Sequence, residues 1–92
     1  MAMTAKRTPI TPERIADASK RMCALFGANF RRARLKAGMT QTDVEEITGI
    51  RQHYVSEIEH GLQNPTLYTM ATLAGAIAAE LRSLLMHPSK RG

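Results

Sequence analysis

The sequence predicts an all-α domain of five helices with an additional helix in front of them. Three observations carry this. Apolar residues recur at steps of three and four in successive segments, cap residues and glycines punctuate those segments at helical spacing, and no segment alternates apolar with polar residues as a half-buried strand would. At 92 residues the chain has room for one small core and none for a second.

The elements follow in order. Residues 1–11, with Lys6, Arg7 and Pro9, are polar and read as a mobile basic arm. The arm fits a DNA minor groove or a disordered terminus, and the latter is favoured. Thr11 then supplies an N-cap, Pro12 the first helical position, and Glu13 an acid at the positive end of the helix dipole. Ile15, Ala18, Met22 and Leu25 follow at the helical period; Gly27 weakens the pattern, which resumes with Phe30, Ala33 and Leu35. These residues fit one bent helix or two. The glycine favours two: an additional helix over 12–24, and a helix-turn-helix domain over 25–87.

Lys36-Ala37-Gly38 is a helix ending, with a cation in the last turn and a glycine free to turn left-handed. Thr40 caps the next helix, with Asp43 three residues on as in a capping box, Val44 and Ile47 on its apolar face, and Gly49 at its end. So short a helix is unstable alone in water and must lean on its neighbours. Another begins near Arg51 or Gln52, turns Val55 and Ile58 inward and stops at Gly61. Asn64-Pro65-Thr66 is a turn followed by an N-cap. Leu67, Met70, Leu73, Ala74 and Ile77 outline the next helix, and Leu81, Leu84 and Leu85 a last one before the tail at 88–92 frays.

Composition excludes several classes. The single cysteine, Cys23, rules out a disulfide framework and a thiolate zinc cluster, and fits a reducing cytosol. No apolar run approaches a bilayer span, and the first residues lack the apolar stretch of a secretion signal, so a soluble cytoplasmic protein is expected. No nucleophile, base and oxyanion donor assemble, so no enzyme and no cofactor are expected. The net charge of +5, with a pI near 10.0, suggests a polyanionic partner. It is unevenly spread. Residues 1–39 hold nine Lys and Arg against Glu13 and Asp17, whereas residues 40–60 hold Arg51 against Asp43, Glu45, Glu46, Glu57 and Glu59. An anion-binding surface must therefore draw chiefly on the N-terminal half.

The informative unit is 41–60: two short helices joined at Gly49, with Val44, Ile47, Ile50, Val55 and Ile58 turned inward. A helix braced in this way protrudes and fits a major groove. The string from Phe30 to Leu85, with Gly38-Met39-Thr40-Gln41, Gly49-Ile50, Val55 to Gly61 and Asn64-Pro65-Thr66-Leu67, resembles the lambda-repressor-like, Cro/C1-type (XRE family) helix-turn-helix regulators. The resemblance implies a five-helix DNA-binding domain and a transcriptional regulator, a repressor by preference, acting on double-stranded DNA. It places Gln41 at a phosphate and Gln52, eleven positions later, at the start of the recognition helix. Several phage repressors of the family carry glutamine at both positions, and the second reads adenine through its amide donor and acceptor.

His53, Ser56 and Glu57 share that outward face as further base-reading candidates, Glu57 as an acceptor for cytosine N4. Phosphate candidates are Arg31, Arg34 and Lys36 before the motif, Thr40, Arg51 and Tyr54 within it, and His60, Gln63 and Asn64 after it. Arg34 and Lys36 are expected to contribute to the salt dependence of binding. Four residues depart from the family pattern. Glu45 stands where a small residue is usual, so it must reach solvent or pair, with Arg51 as the candidate partner, and Thr48 replaces a common apolar residue. Ala78 stands in place of a helix-ending glycine and Glu80 in place of a capping Ser or Thr, so the last two helices are expected to run closer to continuous.

Plainer readings stand beside these. Gln41 and Gln52 fit a solvated face, Tyr54 fits packing on its own helix, and the methionines fit core filling. His53, Glu57 and His60 fall at metal-ligand spacing, but three ligands on one exposed helix lack a second shell, and no metal is expected. Cys23 reads as a small core or interface residue. The stripe Ile15, Ala18, Met22 and Leu25 needs cover, from its own core or from a second subunit. A homodimer contact shared with Leu81, Leu84, Leu85 or Met86 is favoured, which suits a palindromic operator. The competing function is an antitoxin-like module whose 12–24 helix binds a partner protein. A membrane-surface helix is the weakest reading, because the arginines at 31–36 accompany too little exposed apolar surface.

Overall fold

The computed structural model describes residues 9–88; the expected basic arm around Lys6 and Arg7, and positions 89–92 of the tail, lie outside the described residues. Five helices follow one another: α1 (Pro12–Lys36), α2 (Gln41–Thr48), α3 (Gln52–Glu59), α4 (Leu67–Ala76) and α5 (Leu81–Leu84). There is no strand among the described residues.

α1 starts as expected: the Thr11 hydroxyl accepts from the Arg14 N–H at 3.1 Å, and Pro12 occupies the first turn. The expected division at Gly27 does not occur. α1 is a single helix of 25 residues, and the additional helix is its N-terminal half. Gly27 is buried where the end of α3 crosses α1, and a Cβ there would fall on the Ile58 carbonyl oxygen. The glycine thus serves a close backbone approach between helices, and its helix penalty of about 1 kcal/mol is borne inside a continuous helix. Beyond this crossing α1 leaves the body. Ile15 and Met22 remain 55% and 45% exposed, so the chain's own core does not cover the first stripe.

The core gathers Phe26 and Phe30 of α1, Val44 of α2, Val55 and Ile58 of α3, Leu73, Ala74 and Ile77 around α4, and Leu84 of α5. The two phenylalanines stack with ring centroids 6.1 Å apart. Three expected inward residues are exposed instead. On α1 the inward phase runs Phe26, Phe30, Arg34, which turns Leu35 outward by one residue step. On α2 the inward phase is taken by Val44 and Thr48, leaving Ile47 60% exposed. The Thr48 hydroxyl donates to the Val44 carbonyl at 2.8 Å and accepts from the Ile50 N–H at 3.0 Å, so it closes the turn an apolar side chain could not. Leu67, at the first position of α4, also faces outward.

α4 and α5 stay separate, against the expectation of near-continuity. Ala78 takes the left-handed conformation (φ 56°), its N–H donates to the Gly75 carbonyl at 3.1 Å, and the Ala79 N–H donates to the Ala74 carbonyl at 2.9 Å. This is a Schellman ending formed without glycine. Asn29 of α1, which the sequence did not single out, donates through Nδ2 to the carbonyls of Leu84 and Met86 at 2.9 and 2.8 Å and fastens the end of α5. Leu84 is consequently buried in its own core and leaves the set of dimer candidates; Leu81 and Leu85 are half-buried and Met86 exposed.

Two substitutions test these packing arguments with opposite signs. Ala78→Gly removes a left-handed strain of about 1 kcal/mol and is expected to raise the melting temperature by several degrees. Gly27→Ala improves helix propensity, yet is expected to lower it, because the new Cβ meets backbone. Thermal melts followed by circular dichroism measure both; a stabilising Gly27→Ala would contradict the close approach.

Candidate nucleic-acid interface

α2 and α3 meet at a corner set by Gly49, whose φ of 79° is open to glycine and strained for other residues. The Thr40–Asp43 capping box opens α2: the Asp43 N–H donates to the Thr40 hydroxyl at 3.0 Å, and the Thr40 N–H to the Asp43 carboxylate at 2.8 Å. Arg51, the N-cap of α3, makes no side-chain cap. That task falls to Glu45, whose Oε1 accepts from the Gln52 backbone N–H at 2.9 Å. The unusual carboxylate between the helices therefore pairs with the positive end of α3, not with the Arg51 side chain.

A buried ion pair holds this unit on α1. Arg34 and Glu59, each 6% exposed, meet through Nε–Oε2 at 2.6 Å and Nη2–Oε1 at 2.9 Å, and Arg34 Nη1 donates to the Met39 carbonyl at 2.8 Å. Hydrogen bonding to Glu59 holds the Arg34 pKa above its ordinary value, against the lowering effect of burial. Arg34 is thereby removed from the phosphate candidates: its donors point into the fold and its charge is neutralised there.

The pair also fixes the orientation of two glutamines. Glu59 as a carboxylate can only accept, so Gln41 must turn its amide nitrogen towards it; Nε2 donates to Glu59 Oε1 at 3.0 Å. Gln41 Oε1 then faces the other way and accepts from Gln52 Nε2 at 2.8 Å. Gln52, exposed at the first turn of α3, is left with its Oε1 and one Nε2–H directed outward. Among the described residues no buried side-chain nitrogen or oxygen lacks a partner.

The remaining candidates surround this point. His53 is exposed, and Ser56 and Glu57 are half-buried. Glu57 Oε1 accepts from Gln63 Nε2 at 2.8 Å, which anchors the loop after α3. His60 donates through Nδ1 to the Ser56 carbonyl at 2.8 Å and is otherwise exposed. Tyr54 is half-buried and packs against the core. Asn64 is exposed, with its Oδ1 3.8 Å from Cys23 Sγ. Arg31, Lys36, Thr40 and Arg51 are exposed, Gln41 half-buried. His53, Glu57 and His60 form no metal-ligand group among the described residues. Sequence reasoning missed Glu59. The signal lay in its phase: it sits four positions beyond the inward Val55, as Arg34 sits four beyond Phe30.

Comparison with known proteins adds four findings. The helix-turn-helix family HTH_3 matches residues 30–84. A Sinorhizobium fredii protein described as an uncharacterized HTH-type transcriptional regulator, y4dJ, is 45% identical over 56 residues, covering 61% of this chain and 73% of that one. Among solved structures, the restriction-modification controller protein C.AhdI from Aeromonas hydrophila is similar with a TM-score of 0.64 at 31% identity, over 67% of this chain and 94% of its own. A hypothetical transcription factor, NHTF, from Neisseria is similar with a TM-score of 0.70 at 26% identity, over 78% and 84% respectively.

Arg34→Ala leaves Glu59 buried and unpaired, and is expected to lower stability by about 3–5 kcal/mol in chemical denaturation. Under conditions where the variant is folded, the slope of log affinity for duplex DNA against log salt is expected to stay unchanged. A shallower slope would return Arg34 to the phosphate contacts.

Proposed function

The chain belongs to the helix-turn-helix family, whose match spans more than half of it, and on that basis we propose that it is a DNA-binding transcriptional regulator that reads an operator with α3. The observation that carries the reading is the free pair of groups on Gln52. One outward acceptor and one outward donor are the complement of adenine N6–H and N7 in the major groove. Gln41, locked between Glu59 and Gln52, holds that pair in one sense.

His53 and Ser56 extend the reading surface along the helix, and Glu57 retains one carboxylate oxygen able to accept from cytosine N4. Phosphates are met by the start of α2, where Thr40 and Gln41 lie at its positive end, by Arg31, Lys36 and Arg51, and by Tyr54, His60, Gln63 and Asn64 around the end of α3.

A recognition helix of eight residues covers few base pairs, which favours two copies on a two-fold operator. The exposed Ile15, Met22 and Met86, with the half-buried Leu81 and Leu85, supply apolar surface for such a homodimer. Regulation by occupying the operator, as a repressor does, needs nothing beyond this arrangement. No described helix is long and apolar enough to cross a membrane, which accords with a place beside the DNA.

Selection from random duplexes tests the reading. The wild-type chain is expected to enrich a two-fold consensus containing adenine, and Gln52→Ala to relax one position in each half-site. That loss should amount to about 1–3 kcal/mol of discrimination at that base pair. An unstructured wild-type pool, or an unaltered consensus with Gln52→Ala, would contradict it.

A further inference from the structure

We propose that Gln63 is a positioning residue for base reading: from the loop after α3 it fixes the Glu57 carboxylate so that the free oxygen, Oε2, accepts from cytosine N4. Resting on the DNA-reading function above, this adds a second selected base pair, governed from outside the recognition helix.

The backbone around Gln63 is pinned without help from its side chain. The Leu62 N–H donates to the Glu57 carbonyl at 2.9 Å and the Gly61 N–H to the Ile58 carbonyl at 3.0 Å, the two bonds of a Schellman ending. Gly61 lies against α1, where a Cβ would stand 3.1 Å from the Ala24 Cα, and Pro65 is buried. Gln63 is thus held between two fixed points, and its half-buried side chain reaches back to α3 from there. Glu57 lies on an outward ridge of α3, four residues after the exposed His53, and its flexible side chain has no such support of its own.

Donor chemistry gives the pair one sense. An ionised carboxylate only accepts, so Gln63 must present its amide nitrogen, and Nε2 donates to Glu57 Oε1 at 2.8 Å. Among the described residues no cation pairs with Glu57, so its charge is kept. Its Oε2 has no hydrogen-bond partner there, and no partnerless side-chain oxygen among those residues is buried. Oε2 is therefore open to solvent.

A charged acceptor carried towards DNA costs affinity unless a donor meets it. In the major groove the base donors are cytosine N4–H and adenine N6–H, whereas guanine and thymine turn acceptors outward. Adenine also sets its N7 acceptor beside N6, and cytosine sets none beside N4, so a fixed carboxylate selects cytosine. Released from Gln63, the same carboxylate can swing away from the bases, and the selection is lost.

Affinity ratios test this. Selection from random duplexes with the wild-type chain and with Glu57→Ala identifies the cytosine position as the one that the variant relaxes. Affinities are then measured for that operator and for one with another base at that position. Gln63→Ala is expected to lower the ratio about tenfold, to the value of Glu57→Ala, while leaving the melting temperature and the adenine ratio at the Gln52 position unchanged. On the Glu57→Ala background the same change is expected to alter neither ratio. A phosphate contact by the second Nε2–H of Gln63 weakens both operators alike and cancels. Gln63→Ala with the wild-type cytosine ratio, with both ratios lowered together, or with a further loss on the Glu57→Ala background would overturn the positioning role. An unaltered consensus with Glu57→Ala would overturn the cytosine assignment while leaving the Gln52 reading standing. A wild-type pool without a consensus would remove both.

Discussion

A carboxylate cannot donate a hydrogen bond, and Glu59 is a buried carboxylate on which donors from two other helices converge: Arg34 of α1 through two nitrogens and Gln41 of α2 through one. Burying that charge carries a desolvation penalty that a paired, fully hydrogen-bonded arrangement offsets, so the pair is weak evidence for net stability. Its consequence is geometric. α1, α2 and α3 and the carbonyl of Met39 are held to one another by groups with only one way of pairing. Gly27 lets α1 and α3 come this close, because the Ile58 and Glu59 carbonyls pass where a Cβ on α1 would stand.

From Glu59 the constraint passes outward through Gln41 to Gln52, each amide oriented by the one before it. The acidic character of residues 40–60 takes on a different meaning in this light. Asp43 closes the capping box, Glu45 receives the first N–H of α3, Glu57 anchors Gln63, and Glu59 holds Arg34. Four of the five acids are engaged in building the unit. Of these only Glu59 is neutralised, by Arg34, while Asp43, Glu45 and Glu57 keep their charge turned onto neutral donors of the unit; exposed cations such as Arg31 and Lys36 lie ahead of it on α1.

What was legible in the sequence was local chemistry. The Thr11 and Thr40 caps, the capping box with Asp43, the glycine at the α2–α3 corner and the extents of the short helices all follow from neighbouring residues. What was not legible depended on contacts between helices. Gly27 has the local signature of a break, and only the crossing of α3 turns it into a continuous helix with a close contact. Arg34 reads as a phosphate ligand because it stands among other cations; its phase on the Phe26–Phe30 face places it inside. Ile47 and Leu35 look apolar and inward until Thr48 and Arg34 are seen to occupy the inward phase. The stripe on the first half of α1 was visible, but no residue within the folded chain says what covers it.

On the proposed reading, Gln52 owes its alignment with a base to the hydrogen-bonded chain behind it. Gln41→Leu cuts that chain between Glu59 and Gln52 while leaving the buried ion pair and Gln52 in place. The decisive quantity is the ratio of affinities for an operator with adenine and one with another base at the position Gln52 reads, since a lost phosphate contact cancels in the ratio. A drop of about tenfold, comparable to one bidentate contact, towards the ratio of Gln52→Ala is the predicted result. A ratio equal to that of the wild-type chain would show that Gln52 is oriented without Gln41 and would contradict the account.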